Sequence, residues 1–224
     1  MSQPHRKLVD LTHPLASGMQ IYPGDPEVRI APATSLAEHG VVVHDLQLGT
    51  HTGTHLDAPS HSIAGGDTVD SLDLARLVAP LHLVDVTAVA APSRRIALAE
   101  VASQLDAVQP GAIIVFRTDW SARFGQPAYL KHPYLDVAIA ERLRAAGVTV
   151  VGVDTLSPDR TDPTAESAEL PFHEVFLGAG GVIIENLTNL SAIDPARGPW
   201  ISALPLPFTG LDGSPVRAVV MHRA

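Results

Sequence analysis

The stretch "DVAIAERLRAAGVTVVGVD", Asp136 to Asp154, changes its periodicity once. Residues 136–147 read as a helix: Asp136 can cap it, Ile139 and Leu143 share a face, and Gly147 supplies the residue beyond the last turn. Residues 148–154 form a β-branched run that reads as a strand. Working outward, similar runs bounded by Gly or Pro predict strands at 7–11, 27–31, 41–49, 81–87, 112–116, 181–186, 200–206 and 215–222. Helical spacing recurs at 97–108, at 72–78 with Ser71 as cap, and at 171–178, where Pro171 suits a first turn. Strands outnumber helices and alternate with them irregularly. The expected class is α/β with a mixed sheet, in a single domain over 1–224.

Composition narrows the function classes. Of the 224 residues, 46% are hydrophobic and 17% charged, enough to bury a substantial core. Net charge is −9 with Lys and Arg scattered singly, so a basic stripe for nucleic acid or anionic lipid is missing. A small molecule is the expected partner. No apolar run approaches a membrane span, and "MSQPHRKLVDLTHPL" lacks the apolar segment of a secretion signal, which makes a cytoplasmic protein the expectation. Cysteine is absent, so any metal must take imidazole and carboxylate ligands.

Donors of that kind crowd "HTGTHLDAPSH", His51 to His61. A helix is not expected there, because Thr50, Thr52 and Thr54 are β-branched, Gly53 breaks the segment and Pro59 ends it. In a straight strand, His51 and His55 would stand roughly 13 Å apart. That strains two bonds of about 2.1 Å to one ion. A bend at Gly53 removes the difficulty, which predicts a strand ending in a Gly-centred loop that converges on a metal. His51 and His55 then offer neutral nitrogens, and Asp57 an oxygen able to bridge two ions. His61, beyond Pro59, suits a general acid–base at the rim. A lone His-x-x-x-His is more often structural; the aspartate, the last histidine and the Gly and Pro punctuation reverse that weighting.

The same eleven residues resemble the signature of the metal-dependent cyclase-like hydrolases, a family that includes bacterial kynurenine formamidase and isatin hydrolase. "DLTHPL", "YPGDP", "FRTDW", "GVDTLSPD", "GVIIENLTNL" and "ALPLPFTGLDGSPVRAVV" follow in that family's order, so the resemblance covers most of the chain. It implies a swivelling β/β/α fold and a homodimer or homotetramer. It also implies His51, His55 and Asp57 as metal ligands with His173 and Glu185 from further along, and His61 as the proton-transfer residue. Two zinc or manganese ions per chain would fit, because Glu185 is lacking in relatives whose site holds one. Without the resemblance, His173 reads as a helix-surface histidine. Glu185, directly after three apolar strand residues, needs a partner in any case: a cation, or an arginine such as Arg117.

Other candidates keep plainer alternatives. Tyr22 in "YPGDP" is a possible cavity wall by resemblance, although the formamidases usually have Trp there. Arg117 and Trp120 face the cavity or serve packing, and 156–167 is a lid or a surface loop. His5, His13, His39, His44, His82, His132 and His222 read as structural or solvent-facing. The expected activity is hydrolysis of an aryl formamide, cyclic amide or imide by metal-activated water. A ring-forming cyclase or lyase using the same metal, or a non-catalytic metal-binding module, are the alternatives; an intact His61 beside the ligands speaks against the module.

Overall fold

A computed structural model describes residues 8–162, 164 and 169–222. The chain opens with β1 (Leu8–Asp10), then a hairpin of β2 (Arg29–Thr34) and β3 (Val43–Gln47) with a short helix α1 (Leu36–His39) at its tip. After β4 (His55–Asp57) come β5 (Val78–Asp85), β6 (Arg95–Ile96), α2 (Leu98–Leu105), β7 (Ile113–Arg117), β8 (Tyr134–Leu135) and α3 (Val137–Ala145). The remainder is β9 (Val150–Val153), α4 (Pro171–Leu177), β10 (Val182–Glu185), β11 (Trp200–Ser202), β12 (Gly213–Pro215) and β13 (Val219–Met221). Nine strands make one mixed sheet in the order β1-β13-β11-β5-β7-β9-β10-β4-β12. Its centre, β5-β7-β9-β10, is parallel, and both flanks are antiparallel.

Parallel neighbours cannot be joined by a tight turn, so each needs a crossover; α2, α3 and α4 lie in the three connections. Their apolar sides pack on one face of the sheet. Ile114 and Phe116 of β7 meet Val101, Leu105, Ile139, Leu143, Phe172 and Phe176 there. Ile113 and Val115 point the other way, into a second core with Leu56, Ile184, Ile201 and Val220. Burial on both faces explains why β7 up to Phe116, β9, and β10 up to Ile184 are apolar runs with no alternation, whereas β5 keeps exposed positions. Helices on one side and curled sheet on the other realise the mixed α/β architecture expected from the sequence.

The cap expected at Asp136 and the glycine expected behind the helix are both present. Asp136 accepts from Ala138 N at 3.0 Å, and Gly147 adopts φ +74° behind α3. Helix α2 follows an alanine with no side-chain oxygen to offer, and Glu100 compensates by accepting from Ala97 N at 2.8 Å. Residues 72–78 are a correction. Only a 3-10 turn forms, Leu74–Leu77, and Asp73 caps it through Ala75 N rather than Ser71. The strand expected over 200–206 stops at Ser202, since Pro205 retains a single bridge to Val216.

Candidate metal centre

The eleven-residue stretch folds as a turn followed by a new strand. β3 ends at Gln47, the chain turns through His51–Thr54 with Gly53 at φ +63°, and β4 starts at His55. A side chain at Gly53 would strain that backbone and also strike Leu15, its Cβ lying 2.8 Å from Leu15 Cδ2. The anticipated bend at Gly53 is therefore real, but it precedes a strand instead of ending one. His55 and Asp57, two apart on β4, share a face. Glu185 lies directly opposite His55 in the antiparallel β10 register and so faces the same side.

α4 brings His173 to this face. Its ring is 2% exposed as a residue, which corrects the reading of a helix-surface histidine. Asp159 anchors it: the carboxylate accepts from Phe172 N and His173 N at 2.9 and 3.1 Å and from His173 Nδ1 at 2.7 Å. That bond leaves Nε2 turned to the cluster, 3.5 Å from Asp57 Oδ2 and 3.4 Å from Glu185 Oε1. His55 is fixed likewise, donating Nδ1–H to Gly53 O at 2.8 Å, with Nε2 at 3.2 Å from Asp57 Oδ1 and 3.4 Å from Glu185 Oε2. Two histidines thus present Nε2 with the other nitrogen tied back, the usual preparation of an imidazole ligand.

The outer part of the site is held differently. His51 places Nδ1 2.6 Å from Asp57 Oδ1 and Nε2 2.9 Å from Asp212 Oδ2. His61, ending a 3-10 turn over Pro59–His61, reaches the same Asp212 oxygen from Nδ1 at 3.2 Å. Gly213 keeps the space for the His51 ring, since a Cβ there would lie 2.7 Å from His51 Cε1. The rings of His51 and His61 have centroids 4.0 Å apart.

Among the described residues, two sets of three donors have all their ligand atoms within 4.8 Å: His55, Asp57 and Glu185, and His51, Asp57 and His61. Asp57 belongs to both. His51, His55, Asp57, His173 and Glu185 are therefore brought together as the sequence reading expected. His61, expected outside the ligand set, stands close enough to join it. The chemistry of the donors suits a divalent ion, and the hydrogen bonding points the same way. His55 Nε2, Asp57 Oδ2 and Glu185 Oε1 are buried without a hydrogen-bond partner. Three orphaned polar atoms, two of them carboxylate oxygens, would be costly unless a cation or shared protons satisfied them.

Electrostatics reflect this crowding. Burial pushes Asp57 up, but the His55 and His51 charges and bonds from His173 and His51 hold it well below the ordinary carboxylate value. Glu185 is raised by burial and by Asp57, yet His173 and His55 outweigh both and keep it low. His55 is lowered by burial and raised further by Asp57 and Glu185, ending at about 10. Asp212, pushed up by burial and down more strongly by His51 and His61, settles at about 2.

A cavity of about 90 Å³ opens over the cluster, lined by Tyr22, Asp25, His51, His55, His61, Leu156, Ser157, Leu170, His173, Glu185 and Asn186. Tyr22 is a wall, as anticipated. Arg117 does not reach the cavity or Glu185; it pairs with Asp119 at 2.8 Å and Asp85 at 3.3 Å. Trp120 is buried with Tyr129 and Leu156 in a packing role. The first part of the 156–167 loop is not surface: Leu156, Ser157, Asp159 and Thr161 are all buried. Residues 163 and 165–167 of that loop, like His5, lie outside the described residues. Asp25, Asp159, Asp212 and Asn186 were missed in the sequence, although each stands inside a quoted motif: "YPGDP", "GVDTLSPD", "GLDGSP" or "GVIIEN".

With fold and site in view, the class follows: residues 9–160 match the sequence model of the Cyclase family, described as "Putative cyclase", and the chain belongs to that family. The kynurenine formamidase of Salinibacter ruber is 36% identical over 219 residues, covering 95% of this chain and 96% of that protein. Isatin hydrolase A from Ralstonia solanacearum has a solved structure that superposes with a TM-score of 0.84 at 26% identity, covering 97% of this chain and 92% of that one. A structure from Bacillus stearothermophilus, described as a predicted metal-dependent hydrolase, gives 0.79 at 28% identity, covering 98% of this chain and all of that one (100%).

Proposed function

We propose that this chain is a metal-dependent hydrolase of a small amide: an aryl formamide, cyclic amide or imide. The single observation that carries this is the convergence of His55, Asp57, His173 and Glu185 with three buried donor atoms left without partners. The names of its relatives, kynurenine formamidase and isatin hydrolase, support the amide C–N bond as the target. His51, His55, Asp57, His173 and Glu185 would hold two divalent ions, zinc or manganese, with Asp57 shared. A divalent ion bound there supplies Lewis acidity, which acidifies water and polarises a carbonyl. Asp57 and Glu185 offset its charge, and the protons now shared between histidines and carboxylates leave on loading.

His61 is the proton carrier in this reading. With Nδ1–H donated to Asp212, Nε2 is the basic atom and can take a proton from the attacking water. Asp212 stays ionised and stabilises the imidazolium that forms. The water oxygen makes the new C–O bond, the C–N bond breaks, and His61 returns the proton to the departing nitrogen. An acid and an amine result, or an acid and an amide where the substrate is an imide.

The partner is a small molecule rather than nucleic acid or membrane, and the assembly a homodimer or homotetramer in the cytoplasm. Among the described residues no helix is long and apolar enough to cross a membrane. The β2–β3 hairpin exposes Leu36, Val41, Val42, Val43 and Leu46, an apolar surface suited to a second copy.

Purified protein assayed with N-formyl-kynurenine, isatin and simple lactams, following formate release or ring opening alongside metal analysis, tests the proposal. Ring closure without hydrolysis would establish the cyclase alternative instead. His61→Ala should keep its metal and lose about 10²–10⁴-fold in turnover. Loss of metal as complete as in His55→Ala would make His61 a ligand.

A further inference from the structure

Asn186 follows Glu185 at the end of β10 and lines the cavity, yet neither the ligand set nor the proton carrier uses it. Its backbone is held in the left-handed region at φ +55°. Asparagine tolerates that conformation better than most residues, though it still costs free energy that the surroundings must offset. Three bonds do so. Asn186 N donates to Thr155 O at 3.0 Å, Asn186 O accepts from Thr54 Oγ1 at 2.6 Å, and Asn186 Oδ1 accepts from the buried Tyr129 hydroxyl at 2.9 Å. The side-chain amide is therefore clamped through its oxygen. Its nitrogen has no hydrogen-bond partner among the described residues, and it is not one of the buried unpartnered atoms.

A neutral two-proton donor is thus held rigidly at a cavity wall, one residue from a candidate ligand and with its acceptor end occupied. Such a group recognises an oxygen. We infer that the Asn186 amide nitrogen donates a hydrogen bond to the carbonyl oxygen of the bound amide, strengthening as that oxygen gains negative charge in the transition state. Tyr129 is the positioning residue, because its hydroxyl stops the amide from rotating. This deepens the proposed function and rests on it: Asn186 becomes the electrophilic donor that works beside His61. Preorganised donors of this kind act without reorganisation at the moment of reaction.

Asn186→Gly is the test variant, since glycine keeps the left-handed backbone while removing the donor, together with the acceptor of the Tyr129 hydroxyl that Tyr129→Phe removes separately. Kinetics are measured on whichever amide of the panel the wild type hydrolyses, with isatin affinity by calorimetry and metal content as companion readouts on the metal-loaded protein. Expected are unchanged metal content, a fall of about 10²-fold in kcat and a much smaller change in KM. Tyr129→Phe should show the same split, less pronounced. Wild-type kcat in Asn186→Gly, or a loss of activity that only tracks metal loss, overturns the inference while leaving the hydrolase reading in place. A wild type that binds isatin but hydrolyses nothing sinks the hydrolase reading alone, and weaker isatin binding by Asn186→Gly then still supports the donor. A wild type that neither binds isatin nor turns over any amide overturns both.

Discussion

The inner and outer parts of the site are built on different physics. Inside, His55, His173 and Glu185 have side chains only 2%, 3% and 8% exposed, and each is set by strand register or a backbone-tied carboxylate. Outside, His51 and His61 are 15% and 26% exposed and both hang on Asp212, itself 39% exposed. The inner donors have nowhere to move and no water to satisfy them, so they suit permanent ligation. The outer ones share an acid that water can reach; His51 is also tied to the buried Asp57, as a ligand should be, whereas the more exposed His61 suits a group that must gain and lose a proton within each turnover. Asp57, fully buried and common to both, links the two.

The largest effect that would break this contrast comes from the inner half. Glu185→Gln keeps shape and one acceptor oxygen but removes a charge, so metal content should fall from about two ions per chain towards one. An unchanged count by elemental analysis would reduce Glu185 to a brace for the sheet. A smaller effect is expected from the outer half. Asp212→Asn leaves the inner ligands intact while weakening the hold on His51 and His61, so activity should drop about 10–100-fold with most metal retained. If Asp212→Asn instead emptied the site, the outer half would be structural in the same sense as the inner one.

Asp154 sharpens the contrast on the scale of stability. It is as buried as Asp57 but faces no histidine: Oδ1 accepts from Thr118 N and Oγ1 at 2.9 and 2.6 Å, and Oδ2 has no partner. Burial therefore dominates and pushes its carboxyl up to about 7, whereas Asp57 is driven down. The sign follows from proton counts. Between its ordinary value of 3.8 and about 7 the folded state holds a proton at Asp154 that the unfolded chain has lost, so this group's contribution to stability falls as pH rises through that window. Asp154→Asn should flatten that slope, measured as urea midpoints between about pH 5 and 7. An identical slope in the variant would show that Asp154 is ionised within the fold.

Much of the fold was legible because local chemistry specified it. Asp136 and Gly147 bound α3 through caps formed within a few residues, and unbroken apolar runs such as 112–116 could only be buried strands. The 72–78 segment misled because its spacing is compatible with a helix, while the cap falls at Asp73 and β5 already begins at Val78, which leaves only Leu74–Leu77 for a single 3-10 turn. Strands as short as β4 and β12 leave almost no periodic trace, so the new start at His55 was hidden behind the Gly53 bend.

The sequence by itself determined the donors: no thiols, three histidines and an aspartate within eleven residues, and a glutamate ending an apolar strand that had to meet a cation or an arginine. Only the tertiary structure decided what each donor faces. His61 and Asp212 are 151 positions apart, Tyr129 and Asn186 57 apart, and Arg117 is diverted to Asp85 across a parallel strand pair. A residue's type fixes which bonds it can make. Which partner it meets depends on sheet register and crossover packing, and those are set by two apolar cores that draw on most of the described chain at once.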